Sequence, residues 1–206
     1  MFAIDRDAVV RYQPEEGKIY SMDINVFSST FSFSCPRQCP LRGKARVVAD
    51  MEPRKADAVD VLFLGVNPGE KEAELGRPFV GPAGKLLRKT AHDLLPGYVL
   101  AFSNVILCST PNESGIANSN IAMECCARNV EIVLNAFRPR IYVPCGAKAL
   151  TKFGIQDKIM TASGHGYHID EYTIVPILHP SAVLRGCGNK SMLVDAMITI
   201  KNFLLK

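Results

Sequence analysis

Residues 60–87 read "DVLFLGVNPGEKEAELGRPFVGPAGKLL", and the change of texture along that stretch sets the fold. The opening DVLFLGV is a short apolar run that stops at glycine, asparagine and proline, the pattern of a buried strand ending in a turn. From Ala83 to Leu95, in AGKLLRKTAHDLL, leucines and alanines recur at helical spacing. Between the two lies a segment poor in large side chains, in which Asn67 and Phe79 stand out. Gly65, Pro68 and Gly69 suit a tight turn that lets the backbone approach a ligand. Asn67 supplies a neutral donor and acceptor for a water or an amide edge, and Phe79 a flat apolar face. A plain strand-to-helix turn over a buried phenylalanine has the same composition, so the stretch alone leaves both readings open.

Working outward, the alternation repeats. YVLAFSNVIL (98–107), RIYVPCG (140–146) and YTIVPILHP (172–180) read as further buried strands. A long helix is expected from Asn118 to Phe137, a short one from Ala147 and a closing one from Lys190 to Leu205. Strands alternating with helices predict an α/β fold with a parallel sheet covered on both faces. Ligands of such sheets sit beyond the carboxyl ends of the strands. Three loops there are conspicuous: after Gly65, after Leu107 and after Leu178. Residues 1–34 lack clear periodicity and end in NVFSSTFSFS, so they predict an arm packed on a domain formed by 35–206.

The second and third loops carry their own candidates. Asn104 is polar inside an apolar strand, and if it faces inward it must find partners or cost about 1–3 kcal/mol. Its amide matches the paired donor and acceptor on a pyrimidine edge, although a neighbouring backbone loop would satisfy it equally. His179 leaves a strand end directly before Pro180, which restricts its backbone; such a histidine is more often structural than catalytic. Beyond it, Ser181 suits a phosphate contact, Leu184 entry into a base stack and Arg185 a nucleic-acid backbone.

Composition narrows the partner class. The chain has 206 residues, 48% of them hydrophobic, and a net charge of +4, enough for one sizeable core. Residues 138–206 hold 9 Lys/Arg against 4 Asp/Glu, while 1–137 hold 15 against 16, so the basic excess suits a polyanion. No apolar run approaches the roughly 18 residues of a membrane span. The early acids do not read as a secretory leader, and a cytoplasmic protein is expected. In that compartment the 7 cysteines are ligands or buried thiols more readily than disulfides.

Five ordered blocks make the pattern specific: CPL at 39–41, GRPFVGPAGKLL at 76–87, SNVILC at 103–108, RPRIYVPCGAKAL at 138–150 and HPSAVLR at 179–185. With them the chain, from about Cys35 onward, resembles the uracil-DNA glycosylase superfamily, and most closely its iron–sulfur-containing family 4. The resemblance implies a three-layer αβα sandwich around a four-stranded parallel sheet. It also implies a monomeric, monofunctional DNA glycosylase acting on single- or double-stranded DNA. Such an enzyme flips out a uracil or related pyrimidine and hydrolyses its N-glycosidic bond, leaving an abasic site. By the same resemblance Asn67 positions the water and His179 stabilises charge on the departing base. Phe79 stacks on that base, Asn104 reads its edge, and Val66 and Gly69 border it. Pro68, Ser181, Leu184 and Arg185 face the DNA, the last two filling or bracing the vacated position. Cys39, Cys108 and Cys126 fall at the family's ligand positions, with Cys35 as the fourth, for a structural [4Fe–4S] cluster; zinc is the lesser alternative. Cys126 is preferred to its neighbour Cys125 because of its spacing to Pro139.

Three departures from the family bear on substrate. The first cysteine pair is C-x3-C rather than C-x2-C. Val66 replaces the glutamate that family 4 usually shows, so that GVNPG looks like the motif of the mismatch-specific and single-strand-selective branches. Gly69 stands where the best-known uracil enzymes carry a tyrosine that blocks C5 substituents, unless Glu70, Glu72 or Glu74 refills the space. The competing expectations are therefore a glycosylase for a C5-modified pyrimidine, hydroxymethylated or glucosylated, and a non-catalytic iron–sulfur DNA-binding protein. A nucleotide phosphate cradle is disfavoured, because GVNPGE lacks both G-x-G-x-x-G and a P-loop lysine.

Overall fold

A computed structural model describes residues 22–110 and 120–206. Strand β4 (Val61–Gly65) lies at its centre with every residue buried. On one side β5 (Leu100–Asn104) runs parallel to it, in register from Val61↔Leu100 to Gly65↔Asn104. On the other side β6 (Ile141–Pro144) runs parallel from Val61↔Ile141 to Leu64↔Pro144. Strand β8 (Tyr172–Ile174) continues the parallel set beyond β6. These are the four strands that the apolar runs predict. Two antiparallel edges enlarge the sheet: β2 (Ala49–Glu52) beside β5, and β7 (Tyr167–Ile169) beside β8. The order is β2-β5-β4-β6-β8-β7.

Because successive side chains of a strand point to opposite faces, β4 splits its residues between two cores. Val61 and Phe63 join Leu87 and Ala91 of α3 (Pro82–Leu94) and Leu193, Met197 and Ile200 of α8 (Lys190–Leu204). Leu62 and Leu64 join Val130, Val133 and Phe137 of α4 (Asn120–Phe137). The result is three layers, helices on both faces of the sheet. Helix α3 begins with proline, whose missing N–H costs nothing at a helix start. Asn189 caps α8 by accepting the Met192 N–H at 3.2 Å. The expected start of α4 near Asn118 lies outside the described residues; the short helices α5 (Ala147–Leu150) and α6 (Ile159–Ala162) follow it. No helix among them is long and apolar enough to cross a membrane.

The described part of the arm docks against α4. Strand β1 (Met22–Asp23) pairs antiparallel with β3 (Lys55–Ala56). Phe27, in the short helix α1 (Phe27–Thr30), stacks on Phe137 with ring centroids 5.0 Å apart. Asn129 is 4% exposed, and its amide closes a two-way clamp on the Ser34 backbone. It accepts the Ser34 N–H at 3.1 Å and donates to the Ser34 carbonyl at 2.6 Å. That clamp fixes the residue next to Cys35. Residues 1–21 of the expected arm lie outside the described residues. Replacing Asn129 with alanine should strand both Ser34 backbone groups and destabilise the protein by about 1–3 kcal/mol. Denaturant unfolding at unchanged m would measure it, and a shift within about 0.5 kcal/mol would mean the clamp is dispensable.

Candidate active site

The backbone alone brings the three loops to one edge. Beyond β5 the Val105 N–H donates to the Gly65 carbonyl at 3.0 Å and the Ile106 N–H to Val66 at 2.8 Å. On the other flank the Cys145 N–H donates to Leu64 at 2.7 Å, and Gly146 and Ile177 extend the pairing of β6 with the chain leaving β8. The carboxyl ends of β5, β4, β6 and β8 therefore finish level. Asn104 and Asn67 leave from adjacent strands, and His179 leaves from the same edge with β6 between.

At the centre of that edge is an absent side chain. A Cβ on Gly65 would collide with the Asn104 Oδ1 and come within 2.9 Å of the Phe79 ring. An amide and an aromatic ring thus approach each other over bare backbone, which is why this position must be glycine. Asn104 is 3% exposed.

Asn67 is oriented by two bonds from one atom. Its Nδ2 donates to the Thr110 Oγ1 at 2.8 Å and to the Pro68 carbonyl at 3.1 Å. A carbonyl cannot donate, so the amide nitrogen must lie on that side. The Oδ1 is left as an acceptor for a water. Pro68 itself is buried, and Val66 and Gly69 are half-buried beside the turn.

Phe79 is held in an unfavourable backbone conformation, with φ 55°. For a non-glycine residue that costs about 1–3 kcal/mol and persists only where neighbours over-determine it. They do so here. Glu72, in α2 (Glu70–Leu75), accepts the N–H groups of Val80 and Gly81 through Oε1, both at 2.8 Å. Gly84 has no side chain because the Phe79 backbone occupies the space its Cβ would need. Arg88 donates to the Phe79 carbonyl at 3.0 Å. The other oxygen of Glu72 lies 2.9 Å from where a Cβ on Gly69 would be. Of the three acids after that glycine it is Glu72 that borders the space; Glu74 pairs with Lys71 on the surface.

His179 caps α7 (Pro180–Leu184) with its ring. Its Nδ1 accepts the Ser181 N–H at 3.1 Å and lies 2.7 Å from the Ser181 hydroxyl. An Nδ1 that accepts from a backbone N–H carries no proton, so the neutral ring bears its hydrogen on Nε2 and presents a donor. Burial, reinforced by the Arg185 charge, pushes the pKa of His179 below its ordinary value. Gly146, with φ +94°, leaves room for the ring's Cβ only 3.1 Å from its own vacant position. Ser181 thus spends both its amide and its hydroxyl on the imidazole. Leu184 is 52% exposed and Arg185 is exposed, both at the end of the same short helix.

A family model described as the uracil DNA glycosylase superfamily matches residues 53–199. The chain belongs to the uracil DNA glycosylase superfamily. Three relatives are each named Type-4 uracil-DNA glycosylase. That of Thermotoga maritima is 29% identical over 152 residues, 71% of this chain and 78% of the relative. That of Archaeoglobus fulgidus is 31% identical over 162 residues, 73% and 78%. That of Sulfurisphaera tokodaii is 29% identical over 136 residues, 61% of each chain. The superfamily match begins after β2 and therefore leaves Asp50 and Glu52 outside it.

The cysteines gather apart from the turn residues. Cys35, Cys39, Cys108, Cys125 and Cys126 line one small cavity together with Arg46, Leu41 and Ile106. The Cys39 N–H bonds back to the Pro36 carbonyl at 3.1 Å, a turn that accommodates the extra residue of C-x3-C. Burial pushes Cys126 up to about 11, opposed by the Leu107 N–H, which donates to its sulfur at 3.3 Å. Cys35 is pushed up to about 11 by burial and by Cys39 beside it. Among the described residues no three His, Cys, Asp or Glu side chains form a group that would hold a metal ion as they stand. The donor chemistry nonetheless fits a thiolate-bound group: convergent sulfurs, a backbone N–H on one of them and a guanidinium to offset their charge. Cys125 shares the cavity but is less buried than Cys126.

Sequence reasoning passes over Thr110, Arg88 and the choice of Glu72. Only the last carries a local signal, a carboxylate three residues into a turn. The His179 geometry makes a direct prediction. Nitrogen-detected NMR should show the Nε2–H tautomer at neutral pH and a midpoint below 6.5, the ordinary value for histidine. Because its folded pKa lies below the unfolded one, protonation opposes folding. Stability should fall as pH drops below 6.5 and stop falling once the folded form is also protonated.

Proposed function

We propose that the protein hydrolyses the N-glycosidic bond of uracil in DNA and leaves an abasic site. The observation that carries this reading is the meeting of the Phe79 ring and the Asn104 amide over Gly65. A flat apolar face beside an edge-reading donor–acceptor pair is what an extruded pyrimidine needs. Extrusion costs a few kcal/mol of unstacking, which stacking on Phe79 and hydrogen bonds to Asn104 offset. As the bond to the sugar breaks, negative charge collects on the base. A fixed Nε2–H on a neutral His179 stabilises that charge, an effect of about 3–4 kcal/mol for one preorganised donor. Asn67 is no base; its fixed Oδ1 orients a water toward the sugar carbon as positive charge develops there. Leu184 and Arg185, exposed at the end of α7, would fill or brace the vacated duplex position.

The same reading assigns a [4Fe–4S] cluster to Cys35, Cys39, Cys108 and Cys126, with Cys125 in reserve. Such a cluster supplies cross-linking rather than chemistry at the scissile bond. It would tie the segment beginning at Cys35 to β5 and α4. The names carried by the relatives agree with this choice of activity. A C5-substituted pyrimidine is the second reading, supported by the side-chain-free Gly69. The Glu72 carboxylate on its border would accept a hydrogen bond from a hydroxymethyl group and give nothing to a methyl.

The decisive assay is alkali cleavage of uracil-containing single- and double-stranded oligonucleotides after incubation. Strand breaks should depend on both Asn67 and His179, with His179→Ala costing about 100- to 1000-fold in kcat. Binding without breaks would convert the reading to a DNA-binding protein. Thr110→Val should lower kcat about five- to tenfold with KM little changed, the loss of one orienting hydrogen bond. Across uracil, thymine and 5-hydroxymethyluracil, release of the first and third but not the second would support Glu72 as the border of the pocket. A purified preparation should contain about four irons per chain and lose them in Cys39→Ala; a colourless zinc protein would remove the cluster.

A further inference from the structure

The platform ring is braced by a charge network that reaches beyond the superfamily match. Arg88 sits on α3, nine residues after Phe79, with a side chain 11% exposed. Its Nε donates to the Phe79 carbonyl at 3.0 Å and its Nη2 to the Pro78 carbonyl at 2.7 Å. The rest of the guanidinium is taken up by β2. Nη2 also meets the Asp50 Oδ2 at 2.8 Å, and Nη1 meets the Glu52 Oε1 at 2.7 Å. Its plane lies over the Phe102 ring, 3.9 Å from the centroid, and Phe102 in turn packs against Phe79 at 6.0 Å. Asp50 is 1% exposed and gathers two more guanidiniums: Arg77 at 2.7 Å and Arg54 at 3.1 Å.

We propose that Arg88, anchored by Asp50, is a positioning residue for Phe79, setting the tilt at which the ring meets the extruded base. Two features separate this from a plain buried ion pair. Arg88 spends two donors on consecutive carbonyls, those of the residue in the strained conformation and the one before it. Its position over Phe102 also controls the surface on which the Phe79 ring leans. A fork is required: lysine retains the charge but cannot serve two carbonyls and two carboxylates at once. The proposal rests on Phe79 being the base platform.

The test is a double-mutant cycle on steady-state cleavage of a uracil-containing single-stranded oligonucleotide. Arg88→Lys should lower kcat/KM at least tenfold with most of the loss in KM, because a mis-set platform weakens capture of the base. In a Phe79→Ala background the same change should cost less than twofold. Equal factors in the two backgrounds would overturn the proposal, as would a loss confined to kcat that tracks a smaller folded fraction. Should Phe79→Ala by itself leave kcat/KM at the wild-type level, the platform reading fails and takes this one with it, an outcome distinct from additivity. Arg88→Gln and Asp50→Asn run the cycle from either end of the network, so poor folding of one variant does not close the question.

Discussion

Parallel hydrogen bonding on both sides of β4 is the constraint from which the site follows. A strand paired in register with two parallel neighbours fixes where all three end, because each rung is shared. The connections leave from one rim, and the rungs continue past the strands through Val105, Ile106, Cys145 and Ile177. The rim is therefore assembled by main chain before any side chain takes part. That explains its thrift. Where the site's own groups must press against backbone, Gly65, Gly84 and Gly146 leave the room that Asn104, Phe79 and His179 occupy.

Neutrality is the second theme. Asn67, Asn104 and the imidazole of His179 carry no charge at neutral pH, and Asn67 and His179 are each oriented by hydrogen bonds close at hand. An uncharged site keeps little desolvation cost when a base enters. Its dipoles gain force as water leaves. The charges that do lie nearby, Asp50 with its arginines and Glu72, are engaged with backbone or with one another. They act on shape.

How far the sequence discloses this depends on the distance over which each feature is written. β4, β5, β6 and β8 are legible because strands buried on both faces are continuous apolar runs. β2 escapes because Asp50 interrupts it, and the reason a charge can sit there is a set of arginines 4, 27 and 38 residues away. β7 escapes because none of its three residues is buried. The site divides in the same way. Asn67, Phe79, Asn104 and His179 belong to motifs and were open to recognition, whereas Thr110 earns its place through a contact spanning 43 residues. Glu72 is one of three acids at alternate positions, and only the path of α2 selects it.

A short helix at the rim carries two of the candidate residues at its opposite ends. α7 has five residues, about 7.5 Å of rise, with the imidazole cap at one end and the protruding Leu184 at the other. A single turn and a half has no internal joint. A displacement of Leu184 along the helix axis would therefore carry the His179 ring with it.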